Sequence, residues 1–218
     1  MINKFVMAKE RQTHDTESRI LQAAEREFLT KGFAGARTTS IAEAAGVTHA
    51  MLHYYFRTKE KLFDRIISEK IELIKNLIFE AAIDSGLSIQ EKIRMVMDRH
   101  LEFIAANPDL PRFIVGEVFN SPDRTGILLE KIKTYAPAMV AELQRQLDEA
   151  ADKGVIRKVD AAMLIIDIAS LNIFSYMVSP LINAVLDNCM QENPEEFLER
   201  RKRENFDTIM RKLTPAGS

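Results

Sequence analysis

Residues 38–63 read TTSIAEAAGVTHAMLHYYFRTKEKLF. Two short helical patterns, Thr38 to about Ala45 and Thr48 to about Tyr55, flank Gly46-Val47. A glycine closes a helix well because it tolerates positive φ, and a threonine opens one by capping free backbone N–H groups. Two short helices around a glycine-containing turn predict a helix-turn-helix. In that motif the second helix lies in the DNA major groove with its N-terminal residues at base edges. With Leu52, Tyr55 and Phe56 turned inward, His49, Ala50, His53 and Tyr54 turn outward. Ala50 is small enough for close approach to the groove. The imidazoles and the phenol can hydrogen-bond bases or phosphates.

Helix starts add positive potential. Thr38 and Thr39 open one helix, Thr48 the next, and Lys59 the one after that. Free N–H groups at such ends attract phosphates. The candidate DNA contacts are therefore Thr38, Thr39, Thr48, His49, Ala50, His53, Tyr54 and Lys59. A plain three-helix packing unit with exposed histidines is the competing interpretation. The His49-x-x-x-His53 spacing also fits two metal ligands on one helical face, but no third ligand is near in sequence, so neither metal nor cofactor is expected.

Upstream, Asp15 or Thr16 is the expected start of a helix whose apolar stripe is Ile20, Leu21, Ala24 and Phe28, ended by Gly32. Residues 1–14 are expected to be a flexible polar arm, and 15–70 the helix-turn-helix domain. Downstream, Thr58 caps a long helix through Leu62, Ile66, Ile71 and Ile74 to about Ala82. This helix is expected to join the small domain to a larger one, residues 71–218. There the pattern predicts helices from a capping box at Ser88 and Glu91 to Asn107-Pro108, and from Asp109 to Phe119. Further helices are predicted from Pro122 to Lys153 with a break at Pro137, from Asp160 to Pro180, and from Pro194 to Leu213. The expected class is all-α.

The totals agree. Net charge is −2, but residues 1–70 hold 12 Lys/Arg against 9 Asp/Glu, while the remainder holds 18 against 23. The N-terminal third is the side suited to a polyanion. One cysteine excludes a disulfide framework, and no apolar run approaches a membrane span, so a cytoplasmic protein is expected. No nucleophile motif, phosphate-binding glycine loop or paired carboxylates in an apolar setting is present, which argues against an enzyme.

Polar and aromatic groups on apolar faces mark possible ligand contacts in the larger domain. His100 interrupts the stripe Ile89, Ile93, Val96, Phe103. Phe113, Tyr135 and Met139 can line a cavity, and Tyr176 shares a face with Asn172. Core packing is the competing role for each of them, and a dimer interface is the expected place for Asn172.

The stretch AAEREFLTKGF followed by residues 38–63 resembles the DNA-binding domain of TetR-type transcriptional regulators over about residues 18–65. Ala24, Phe28, Gly32-Phe33, Ile41-Ala42, Ala45-Gly46-Val47, Leu52, Tyr55-Phe56 and Thr58-Lys59-Glu60 carry the likeness. The resemblance implies an all-helical homodimer that binds a palindromic operator as a repressor, with the last two long helices of each subunit forming a four-helix interface. It also implies a small-molecule effector in the C-terminal domain. The alternative is a DNA-binding regulator governed by a protein partner. Three features depart from the family pattern: His53 stands for a tyrosine, Ala36-Arg37 for Ser/Thr, and Met51 for a small residue. The second departure moves the cap of its helix to Thr38 or Thr39, and together they imply a distinct operator sequence.

Overall fold

No proline or glycine occurs between residues 2 and 31, and alanine, lysine, glutamate, arginine and glutamine are frequent there. Such a run favours uninterrupted helix. The computed structural model describes residues 2–83, 86–186 and 188–215, with 2–14, 77–83 and 189 described in backbone alone. In it α1 runs over Ile2–Gly35. The expected arm is therefore helical from Ile2, and neither Asp15 nor Thr16 caps; Thr16 is buried inside the helix instead. Gly32 breaks α1 as the sequence predicts, with φ 68° and ψ 173°. One short turn follows it.

The next three helices are α2 (Thr38–Ala44), α3 (His49–Phe56) and α4 (Lys59–Ile83). Gly46, at φ 66°, makes the turn between α2 and α3. Thr48 caps α3 by accepting from Met51 N at 3.1 Å, and Thr58 accepts from Lys61 N at 3.2 Å. Neither Thr38 nor Thr39 caps α2. Arg37 holds that position with extended backbone and no side-chain bond, since a guanidinium has no acceptor, and the Thr38 hydroxyl lies 3.0 Å from His49 Nε2.

Beyond α4 come α5 (Ile89–Ala106) and α6 (Leu110–Phe113), the latter continuing as π-helix over Ile114–Phe119. Both halves of the capping box at Ser88 and Glu91 are formed. Pro137 splits the next stretch into α7 (Pro122–Lys133) and α8 (Ala136–Asp152). Asp160 accepts from Met163 N at 2.9 Å and caps α9 (Ala161–Met177). Then come α10 (Ser179–Val185), α11 (Cys189–Glu192) and α12 (Pro194–Leu213). No strand occurs among the described residues, and no single helix among them is long and apolar enough to cross a membrane.

Two compact units result. The first comprises residues up to Lys70 together with Val115–Leu128; the second comprises Ile71–Ile114 and the chain from Leu129 onward. The sequence assigns all of 71–218 to one domain, but Val115–Leu128 packs with the first unit. Arg124 explains why: its guanidinium lies 4.6 Å from the Phe33 ring centre and 5.7 Å from that of Phe63. Phe28, Phe33 and Phe63 themselves form one aromatic cluster with centroid separations of 5.1–5.8 Å. Ile20, Ala24, Ile41, Leu52 and Leu62 complete that unit's core.

In the second unit α5, α8, α9 and α12 share a core of Ile93, Met97, Leu147, Leu164, Ile168, Ile209 and Leu213. A smaller cluster of Leu101, Ile104 and Tyr176 lies beside Phe103 and Phe197.

Gly32 combines positive φ with a tight setting, since a Cβ there would stand 2.4 Å from Glu117 Oε1. The carboxylate can swing aside but the backbone cannot change sign. Gly32→Ala should therefore destabilise the protein by about 1–3 kcal/mol. Urea unfolding checks this, and an unchanged midpoint would show that the glycine is not required.

Candidate nucleic-acid interface and apolar cavity

The first unit presents α3 with Leu52 and Phe56 buried and the opposite face outward. Tyr54 is 80 % exposed, and Thr39, Thr48, His49 and Ala50 are exposed as well. His53 is half-buried. Its Nδ1 lies 3.1 Å from the carbonyl of Arg57, and its Nε2 lies 3.2 Å from His49 Nε2.

These contacts fix the neutral tautomers. A carbonyl only accepts, so His53 Nδ1 carries the proton and His53 Nε2 is the acceptor. His49 Nε2 then donates, with the Thr38 hydroxyl oxygen also in reach at 3.0 Å. His49 Nδ1 is left as an acceptor that can meet the amino group of adenine or cytosine. His53 thus holds the C-terminal end of α3 and aims His49. The bond matters at Arg57, whose φ of 25° is strained for a residue with a side chain.

Lys59 stands apart from the expected set. Its Nζ donates to Phe33 O at 2.8 Å and Ala36 O at 3.1 Å, and sits 4.6 Å from the Phe33 ring centre. An ammonium has three protons, and two close the backbone after Gly32. The side chain therefore clamps the end of α1, a role its place at a helix start does not suggest, and one N–H remains.

The second unit holds a cavity of about 1010 Å³ bounded by α5, α8 and α9. Its apolar wall includes Ile93, Val96, Leu143, Ile165 and Ile168. Of the six ligand candidates, His100 and Met139 line it; Phe103, Phe113, Tyr135 and Tyr176 do not. Phe103 and Tyr176 pack in the smaller core cluster, Tyr176 edge-on to Phe197 at 6.2 Å. Phe113 is buried in α6. Tyr135 precedes α8 and faces the Lys75 ammonium at 5.7 Å. Asn172 is wholly buried and bonded within the chain, so it is not an interface residue.

Sequence reasoning missed the α8 wall. Met139, Glu142, Leu143, Gln146, Glu149, Ala150 and Lys153 recur at three- and four-residue spacing, yet so many are polar that the stripe looks like a solvated face. The charges there engage one another. Arg145 bonds Glu142 at 2.6 Å and also Glu149, and Lys92 donates to Gln146 at 3.1 Å. Hydrogen bonds from Arg145, then Gln146, hold the Glu142 carboxyl down at about 2. Among the described residues no cluster of three His, Cys, Asp or Glu side chains is placed to hold a metal ion.

Residues 20–66 match the family model for bacterial regulatory proteins of the tetR family, and residues 90–209 match that for the tetracyclin repressor-like C-terminal domain. The chain is 29 % identical over 174 residues to the nucleoid occlusion factor SlmA of Vibrio campbellii, covering 77 % of this chain and 87 % of that one. Among solved structures, the TetR family transcriptional regulator PfmR of Thermus thermophilus is similar with a TM-score of 0.67, at 20 % identity, covering 90 % of this chain and 100 % of that one. The transcriptional regulator FadR of Bacillus subtilis in complex with stearoyl-CoA gives a TM-score of 0.66 at 17 % identity, covering 90 % and 98 %. At these identities the two structures establish the shared fold alone.

Lys59→Met should lower stability by about 1.5–3 kcal/mol, the range for charge-assisted hydrogen bonds, and leave the salt dependence of DNA binding unchanged. Unfolding and DNA titrations at several salt concentrations separate the two roles. A salt slope reduced by about 1 at unchanged stability would put the ammonium on a phosphate after all.

Proposed function

The chain belongs to the tetR family of bacterial regulatory proteins, and we propose that this member is a homodimeric repressor that holds a palindromic operator and releases it when a small molecule fills the cavity. Family membership makes it a DNA-binding transcriptional regulator, and its family and structural neighbours are regulators rather than enzymes. The protein acts in the cytoplasm, where its operator lies.

The observation that carries the ligand response is the cavity of about 1010 Å³ between α5, α8 and α9. Pockets for small molecules typically occupy about 300–1,000 Å³. Chain connectivity supplies a route to the DNA. The backbone leaves the second unit after Ile114, passes through Val115–Leu128 in the first, and returns at Leu129. A ligand that shifts α5 against α8 pulls on both ends of that stretch. Arg124 above Phe33 and Phe63 transmits the pull to α1 and α4, and so to α3. Strong switching needs about 5 kcal/mol of differential affinity between the two states.

Dimerisation is supported by α9. The helix buries Leu164, Ile168, Asn172 and Tyr176, yet Met163, Ile166 and Phe174 are 52 %, 53 % and 59 % exposed. A second copy covers this face, with α12 completing a four-helix interface. The two α3 helices then enter successive major grooves about 34 Å apart. Thr39, Thr48, Ala50 and Tyr54 meet the DNA with His49, and the Thr38 hydroxyl and the N-terminus of α4 meet phosphates.

The second reading is regulation by a protein partner without a small molecule. It draws on the likeness to a nucleoid occlusion factor and on the exposed Leu181 and Val185 of α10.

Selection of bound fragments from the source genome should yield a palindrome. Stearoyl-CoA, the ligand in the FadR complex, and uncharged apolar compounds should then be titrated against it. Release by one of them is the expected result. Unaltered operator binding with a compound seated in the cavity would overturn the ligand reading. Ile166→Glu with Phe174→Glu should give monomers in sedimentation and at least a tenfold loss of operator affinity, about 1.4 kcal/mol. A double variant that stays dimeric would place the interface elsewhere.

A further inference from the structure

His100 borders the cavity from α5, and the groups behind it decide which ring nitrogen carries the proton. Asn172 Nδ2 donates to the carbonyl of Met97 at 2.9 Å. That carbonyl only accepts, so the amide cannot be turned the other way. Its far end agrees, because Asn205 Nδ2 donates to Asn172 Oδ1 at 2.8 Å. The same Asn172 nitrogen lies 3.3 Å from His100 Nδ1. It has only hydrogens to offer, so His100 Nδ1 is the acceptor, and the neutral ring bears its proton on Nε2.

Protonation of Nδ1 would set one donor against another. Burial acts in the same direction and lowers the pKa of His100 below the ordinary histidine value. The ring is thus a neutral donor with a single N–H, and its Nδ1 edge is turned to Asn172. The wall around it is apolar, while at the rim Arg145 pairs with Glu142 and Glu149, Lys92 donates to the neutral Gln146 amide, and Lys153 also borders the opening. A neutral ring with a single N–H offers a hydrogen bond to a ligand oxygen beside it but no countercharge to an anion.

We infer that His100 Nε2–H is the polar anchor of the cavity, and that it selects a long, mostly apolar effector bearing one uncharged carbonyl, as in a ketone, ester or thioester. Asn172 acts through His100 as the positioning residue. The inference rests on the reading of the cavity as the effector site, and goes further by naming the ligand chemistry and the atom that reads it.

The test uses the full-length protein with nitrogen-15-labelled histidine and three probes of equal chain length: methyl nonyl ketone, undecane and undecanoate. Long-range proton–nitrogen correlation on the wild type should show His100 protonated on Nε2 alone. The ketone should move that proton downfield, and undecane should not. In calorimetry the ketone should bind about tenfold more tightly than undecane, the worth of one neutral hydrogen bond. His100→Phe should erase that preference and keep undecane binding.

A wild-type ring protonated on Nδ1 overturns the proposal without any variant. Equal binding of ketone and alkane, or tighter binding of undecanoate with His100 doubly protonated, overturns it while leaving the cavity a ligand site. Entry of none of the three into the cavity overturns the effector reading itself, and the proposal with it.

Discussion

The Phe33 ring is the point on which the DNA-binding unit turns. It stacks on Phe28 at 5.8 Å and meets Phe63 edge-on at 5.1 Å, which ties the end of α1 to the start of α4. Two cations lie 4.6 Å from its centre, Lys59 from α4 and Arg124 from α7. Cation–π contacts gain strength where water is excluded. Only the break at Gly32 lets the ring turn back in this way, and Lys59 holds the freed carbonyls of Phe33 and Ala36. Remove the ring and α3 loses its platform, while Val115–Leu128 loses its seat. In the proposed mechanism, recognition and its control share one aromatic residue.

Several features decided within four residues were legible in the sequence, though not the caps expected at Asp15 or Thr16 and at Thr38 or Thr39. Thr48 capping α3, the turn at Gly46, the box at Ser88 and Glu91, Asp160 capping α9 and the split at Pro137 all depend on neighbours along the chain. Features decided across the chain were not. Lys59 sits at a helix start, which suggests phosphate, and nothing local shows that it also donates to a carbonyl 26 positions upstream. Val115–Leu128 begins inside the π-helix that continues α6, and nothing local assigns it to the first unit. Asn172 and Tyr176 share a helical face, yet the first is held by Met97 and Asn205, and the second packs against Phe197.

The cavity shows the same divide. His100 stood out because a lone polar group on an apolar stripe has to be explained. The α8 wall did not, because glutamate, glutamine and lysine hide a lining face when they bond one another at its rim. Helix α9 is informative for the opposite reason. It is apolar nearly all round, one side faces the core, and the other remains exposed at Ile166 and Phe174. A helix of that kind suits the proposed arrangement, with one face in its own core and the other against a second copy.

The proposed reader of duplex DNA is a symmetric pair of α3 helices. Hydroxyl-radical footprinting on the operator recovered from genomic selection addresses it directly. Two protected patches related by a two-fold axis, centred about 34 Å apart on one face of the duplex, are expected. A single unbroken patch without symmetry, or no protection at low salt, would contradict it.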